Sequence, residues 1–325
     1  MTLNDSATGM KRIHEEIQRV VGQQVVGYAH VVTDLLVGLL GGGHVLLEGV
    51  PGVSKTTLAK RFAATTGLQF SRVQFTQDLL PADVTGHTVY DQKSGKFQMR
   101  KGPVFTQMLL ADEINRAPPK TQSALLESME ERQATIEGET FPLPEPFMVV
   151  ATMNPIEMEG VYQLPEAQLD RFMVRTRMGY LSREQEREML ASKAKRPTPP
   201  DPPRLRTKVI TEARELVVKV HVEEELLHYI QAIAEATREH PDVELGASPR
   251  AMEQMLRGAQ ALALLHGRTF VIPDDIKAVA RKTIPHRLVL NVDATIDSKD
   301  PDTVLDAVLA DVPVPTGLRP QAVAA

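Results

Sequence analysis

A short apolar run, His44-Val45-Leu46-Leu47-Glu48, leads without a break into Gly49-Val50-Pro51-Gly52-Val53-Ser54-Lys55-Thr56-Thr57. A helical pattern follows over residues 56–66, with Leu58 and Phe62 four apart and Gly67 closing it. Strand, glycine-containing loop and helix in this order constrain the chain more than any other stretch. From Gly49 to Thr56 the loop fits G-x-x-x-x-G-K-[ST], save that Ser54 stands where the last glycine belongs. In such a loop, backbone N–H groups at a helix start cradle a polyphosphate. The lysine reaches the β/γ-phosphates and the threonine hydroxyl ligates Mg²⁺. Gly49, Pro51, Gly52, Val53, Ser54, Lys55, Thr56 and Thr57 are therefore the candidate phosphate-loop residues. Serine has less backbone freedom than glycine, so the loop is expected to hold Ser54 at negative φ. A flexible Gly-Pro turn with an incidental lysine would share the loop's composition. The strand before it and the helix after it favour the phosphate site.

Two further apolar runs end in polar residues. Met108-Leu109-Leu110-Ala111 runs into Asp112-Glu113, and Phe147-Met148-Val149-Val150-Ala151-Thr152 leads to Asn154-Pro155. With Phe70-Ser71-Arg72-Val73-Gln74-Phe75 and intervening helical patterns, they predict a parallel sheet covered on both faces. Asp112, at a strand's C-terminal end, is placed to hold Mg²⁺ together with Thr56. Glu113 is placed to polarise the attacking water as general base. An amide at Asn154 can hydrogen-bond both the γ-phosphate and that water, although alone an Asn-Pro pair would read as a turn starter. Helices are expected over 10–21, 31–40 and 121–132. Two hairpins are expected, one over 88–99 with its turn at 93–96 and one over 133–141.

Beyond residue 181 the character changes. Residues 182–194 read as a charged helix, and 195–206 hold five prolines. Helical patterns then cover 211–220, 223–238, 248–265 and 273–281. The expected organisation is an α/β nucleotide-binding domain over 1–181, a helix and Pro-rich linker over 182–208, a small all-α domain over 209–312 and a flexible tail over 313–325.

Composition removes several function classes. At 325 residues, with 42% hydrophobic and 24% charged, the chain can bury a core and is not disordered. Without cysteine it has no disulfide, no thiolate metal site and no Cys nucleophile. The nine histidines make no metal-ligand cluster, and no G-x-S-x-G occurs. A net charge of −5 gives no bulk signal for nucleic acid. The most apolar stretch, 31–47, contains Asp34 and three successive glycines, so no membrane span is expected. The N-terminus lacks a basic n-region and an apolar h-region, which reads as a cytoplasmic protein.

Together, GVPGVSKTT, LLADEINRAPPKTQSALLESMEERQATIEG, VVATMNP, YQLPEAQLDRF and GASPRAMEQMLRGAQALALLHGR resemble the MoxR family of AAA+ ATPases, over about residues 20–290. The resemblance implies a P-loop AAA+ module followed by an all-α lid, with ATP and Mg²⁺ bound. It implies an arginine finger at Arg171 that reaches a neighbour's γ-phosphate and a sensor 2 arginine at Arg250. Ser248 and Pro249 are a good N-cap and first residue for the lid helix. A cation is out of place at that helix start, a physical hint that Arg250 serves a phosphate. Val21 and Gly22 resemble the segment lining the adenine pocket, and the two hairpins resemble insertions facing a ring pore. The activity implied is that of a ring-forming ATP-driven chaperone, usually a hexamer. It would act on a client or on a separately encoded partner with a von Willebrand factor A domain, a module whose D-x-S-x-S motif this chain lacks. The competing reading is an AAA+ nucleic-acid motor or clamp-loader subunit. The chain shows no basic stripe or appended DNA-binding module for it, and its clearest local basic group is Lys93, Lys96, Arg100 and Lys101. Nucleic acid is not an expected partner.

Overall fold

The computed structural model describes residues 3–93, 95–154, 160–195 and 205–316. In chain order, α1 (Leu3–Gly22) and α2 (Ala29–Gly41) precede β1 (Val45–Gly49), α3 (Lys55–Thr66) and β2 (Phe70–Gln74). Then come α4 (Pro81–Thr85), the hairpin β3 (Gly86–Asp91) and β4 (Lys96–Lys101), β5 (Met108–Asp112) and α5 (Pro119–Glu131). A second hairpin, β6 (Gln133–Ile136) and β7 (Glu139–Pro142), is followed by β8 (Met148–Met153), α6 (Glu166–Leu169) and β9 (Val174–Met178). The remainder is α7 (Arg183–Lys195), α8 (Thr207–Val217), α9 (Glu224–Glu239), β10 (Val243–Leu245), α10 (Pro249–Leu265), α11 (Pro273–Thr283), β11 (Val289–Leu290), α12 (Val292–Ile296) and α13 (Pro301–Asp311).

Five strands form one parallel sheet in the order β2-β5-β8-β1-β9. Side-chain alternation sends Val45, Leu47, Leu110 and Val150 to one face, where they meet α1, α2, α3 and the lid helices in a single core. Leu46, Leu109, Val149 and Ala151 pack on the other face against α5. Burial of both faces explains why β5 and β8 read as continuous apolar runs. The amphipathic stripe of α1 is realised by Met10, His14, Ile17 and Val21.

The edge strand β9 escaped the sequence reading. Arg175 and Arg177 alternate with its buried residues and find partners only in the fold, at Asp302 of α13 and at Glu48. Asp34, which interrupts the apolar run of α2, is held by Thr176 at 2.5 Å and Lys282 of α11 at 3.1 Å. The C-terminal lid is helical and packs on α1 and α2 through the same core as the sheet. It differs from the all-α expectation in one short antiparallel pair, β10 with β11. Much of the expected Pro-rich linker and tail, and Ser94 in the first hairpin turn, lie outside the described residues. No helix among the described residues is long and apolar enough to cross a membrane.

Candidate active site

The strand order brings three motifs to one edge. β5, β8 and β1 are adjacent and parallel, so Asp112-Glu113, Asn154 and the loop after Gly49 all emerge at C-terminal strand ends. That is the edge at which parallel α/β sheets bind ligands.

The loop begins tightly. A Cβ on Gly49 would come within 2.7 Å of the Met178 carbonyl, so only glycine fits there. Gly52 has φ +86°, and Ser54 has φ +69°. The expectation of negative φ at Ser54 is therefore wrong. The turn into α3 needs a left-handed residue before the lysine, and the serine adopts the conformation a glycine would, at a cost of about 1–2 kcal/mol. Ser54 gives no side-chain cap to α3, and the first turn of that helix holds no acidic residue. Its N–H groups are thus directed at the space above the loop, where an anion is favoured.

Lys55 Nζ donates to the Gly49 carbonyl at 2.6 Å and to the Met153 carbonyl at 3.2 Å, bridging the loop and the end of β8 beside Asn154. Asn154 is 5% exposed. Thr56 Oγ1 donates to Asp112 Oδ2 at 3.0 Å. Asp112 also accepts from Thr152 at 2.6 Å and from Arg72, whose Nη2 lies 2.8 Å away. Burial would raise its pKa, but these hydrogen bonds outweigh burial and hold the carboxyl below the usual range, so it is ionised. Thr56 and Asp112 thus present hard oxygen donors side by side, a pair that fits Mg²⁺. The ion typically takes one or two protein oxygens and completes its octahedron with phosphate and water. Glu113 bends the chain at φ +58°. Its Oε2 accepts from Gln74 at 2.8 Å and ion-pairs with Arg116 at 2.9 Å. Arg72, Gln74, Thr152 and Arg116 were not singled out as site residues from the sequence. Arg72 and Gln74 are one side of β2, and only its pairing with β5 reveals their proximity to the acids.

A cavity of about 220 Å³ lies beside the loop, lined by Gln24, Val25, Val26 and Tyr28, by residues 51–54, and by Tyr180, Glu186 and Met189. Val21 and Gly22, the expected base-binding segment, are not among the residues lining it. V-V-G occurs twice, at 20–22 and at 25–27. The first copy is still inside α1, where Val21 is fully buried. The second lies beyond the helix end. Gly27 has φ +89° there, and a Cβ on it would strike Leu181.

Arg171 and Arg250 are not at this edge. Val174, three residues after Arg171, pairs with Val45 at the start of β1, whereas the loop follows its last residue. At about 3.3 Å per residue the strand separates the two ends by about 13 Å. The two arginines instead meet at the N-terminal end of the sheet. Arg171 pairs with Glu130 Oε2 at 3.0 Å, and Arg250 with Glu130 Oε1 at 2.5 Å and Asp170 Oδ2 at 3.3 Å. With Arg132 and Gly42–His44 they border a cavity of about 180 Å³. Among the described residues, Arg171 Nε is buried there without a hydrogen-bond acceptor. Ser248 does cap α10, accepting from Ala251 N at 3.1 Å. The misplaced charge of Arg250 is compensated within the subunit by Glu130 and Asp170.

The two hairpins stand where the sequence places them. Tyr90 and Phe97 are paired across the first at 5.3 Å between ring centroids, both exposed. At its base Lys101 lies over Phe105 and over Phe141 of the second hairpin, at 4.8 and 5.4 Å.

The family model for ATPases associated with various cellular activities (AAA) matches residues 44–174, and that for the AAA lid domain matches 235–308. Chaperone MoxR1 of Mycobacterium tuberculosis is 45% identical over 94% of this chain and 82% of its own length. YeaC of Bacillus subtilis is 44% identical over 93% of both chains. A crystal structure from Cytophaga hutchinsonii, described as a candidate ATPase, superposes with a TM-score of 0.88 at 39% identity. It covers 96% of this chain and 97% of its own.

Proposed function

The chain belongs to the MoxR family of AAA+ ATPases, and from that premise we propose that it hydrolyses ATP at sites shared between subunits of a ring and uses the cycle to remodel or mature a partner protein. The observation that carries this reading is the separation of the site residues. Lys55, Thr56, Asp112, Glu113 and Asn154 gather at one end of the sheet, while Arg171 and Arg250 lie at the other. Two arginines that cannot reach their own loop are useful to hydrolysis only on a neighbour's nucleotide.

In this reading Gly49, Pro51, Gly52, Val53, Ser54 and Thr57 shape the phosphate loop, and Lys55 neutralises the γ-phosphate. Residues 24–26 and Tyr28 form a wall of the base pocket. Thr56 and Asp112 hold Mg²⁺, which when bound neutralises charge developing on the transferred phosphoryl group. Glu113 takes the proton of the attacking water, and Asn154 orients that water against the γ-phosphate. Gln74 and Arg116 keep the Glu113 carboxylate to one side until the nucleotide and water are in place. Arg171 and Arg250 complete the neighbour's site by stabilising transition-state charge, a role that in NTPases generally supplies about 10³-fold or more in kcat.

The ring is proposed to be a hexamer working in the cytoplasm, where ATP is available, with a separately encoded von Willebrand factor A protein or another client as its partner. The hairpins β3–β4 and β6–β7 are the elements offered to that partner. The test combines turnover with capture. Steady-state ATPase activity is measured with and without DNA, and Glu113→Gln protein loaded with ATP or ADP is used to retain partners from lysate. A protein partner retained with ATP and not with ADP supports the reading. Strong stimulation by DNA without such a partner replaces it with the nucleic-acid motor reading.

A further inference from the structure

The lid contributes a second arginine to this end of the sheet. Arg287, in the 3₁₀ turn Pro285–Arg287 after α11, has only 2% of its side chain exposed. Its Nε donates to Asp170 Oδ1 at 2.8 Å. Its Nη2 reaches the carbonyls of Asp170 at 2.9 Å and Phe172 at 2.8 Å and the Gln254 amide oxygen, and its Nη1 reaches the Thr283 carbonyl. His286 adds a second bond to the Phe172 carbonyl at 2.8 Å. The carbonyls on either side of Arg171 are thus held by one guanidinium. The carboxylate it grips is the one that pairs with Arg250 and accepts from Ser248 at 2.9 Å.

We propose that Arg287 is a positioning residue for the two arginines that complete the neighbour's site: it fixes the 170–172 turn that launches Arg171 and the Asp170 carboxylate that steers Arg250. Burial of a guanidinium is expensive and is tolerated only when its donors are matched. Here the matched acceptors bracket a residue argued to touch phosphate. Burial lowers the pKa of Arg287 to about 10, so at neutral pH it remains a cation. A lysine would keep the charge but could not span these acceptors, because its ammonium is a point donor and lacks the planar fork. The arrangement also makes the finger's platform depend on the lid. Displacing the Pro285–Arg287 turn would shift the finger offered to the next subunit.

The proposal rests on the reading that Arg171 acts in trans, and the experiment separates the two. A carrier chain with Lys55→Ala has a silent site of its own yet still donates its arginines. Three carriers are prepared, namely Lys55→Ala alone, with Arg171→Ala, and with Arg287→Lys. Each is mixed in threefold excess with wild type, and mixed rings are verified. With random mixing only about one neighbour in four is wild type, so turnover per wild-type subunit should be about fourfold lower with the Arg171→Ala carrier, and about threefold lower with a tenfold-impaired Arg287→Lys carrier, than with Lys55→Ala alone. In homogeneous rings, Arg287→Lys should lower kcat at least about tenfold, the scale of a misplaced reacting group, and leave ATP affinity unchanged. If the Arg171→Ala carrier stays level with Lys55→Ala, the trans reading fails and this proposal with it. If that carrier falls and the Arg287→Lys carrier stays level, only the role of Arg287 is overturned. Should Arg287→Lys not assemble, Asp170→Asn in the same carrier replaces it, since that side chain is 22% exposed. A carrier with Asp170→Asn that is level with Lys55→Ala overturns the proposal equally.

Discussion

Arg171 and Arg250 take opposite oxygens of a single carboxylate, with Glu130 Oε2 3.0 Å from the first and Oε1 2.5 Å from the second. One carboxylate thus bridges the two cations, and in the proposed ring a phosphate arriving from a neighbour would compete with Glu130 for both. Either arginine should behave as a trans residue. Arg171→Ala and Arg250→Ala are each expected to bind ATP normally and to lose most turnover. Mixing either with Lys55→Ala protein should restore activity, since an intact loop then meets intact arginines. The measurement is turnover across mixing ratios with mixed rings verified, and no recovery for Arg250→Ala would place it outside the neighbour's site.

The loop and the base should separate binding from chemistry. Lys55→Ala is expected to abolish tight ATP binding because the γ-phosphate loses its cation. Glu113→Gln should bind ATP and hydrolyse it at least about 10²-fold more slowly, as loss of a general base implies. Equilibrium nucleotide binding and single-turnover hydrolysis on both variants test this. Equal loss of binding in the two would contradict the division of roles.

Ser54 offers a test of backbone strain. Its φ of +69° suits glycine and is prohibitive for a β-branched residue. Ser54→Gly should retain ATP affinity and change stability by no more than about 1 kcal/mol, relief of strain being offset by a more flexible unfolded chain. Ser54→Val should bind ATP at least about tenfold more weakly, because its side chain disfavours the conformation on which the loop's N–H groups depend. Wild-type affinity in Ser54→Val would show that the left-handed turn is dispensable.

Stability should fall with mild acidification. His44 is buried at the start of β1. Its Nε2 donates to the Met129 carbonyl at 3.1 Å, and its Nδ1 accepts from Val149 N at 2.9 Å. Burial, reinforced by the Arg132 charge, lowers its pKa from 6.5 to about 3. Burial also pushes His286 well below its ordinary value. Below pH 6.5 the unfolded chain takes up protons that the folded one refuses, so the unfolding free energy decreases as pH falls from there toward 3. Denaturant midpoints between pH 6.5 and 4.5 should drop for the wild type and drop less for His44→Gln. A flat wild-type profile, or the same slope in the variant, would rule out this origin.

The sequence alone determined the elements whose signals are local. The loop, its strand and its helix lie within one short run, and the two hairpins and the apolar runs of β5 and β8 can be read from periodicity and turn residues. Thr56 and Asp112 could be paired because loop and acid motifs carry their roles in their residue types. Only the tertiary structure decided which copy of V-V-G borders the cavity beside the phosphate loop, since that depends on where α1 stops. It decided the left-handed conformation of Ser54, which residue identity argued against. It decided β9, whose arginines disguise a strand until Asp302 and Glu48 neutralise them. The meeting of Glu130, Asp170, Arg171, Arg250 and Arg287 joins segments from α5, the turn before β9, α10 and the turn after α11. No local period encodes such a cluster, because strand order and the docking of the lid on α1 and α2 set it.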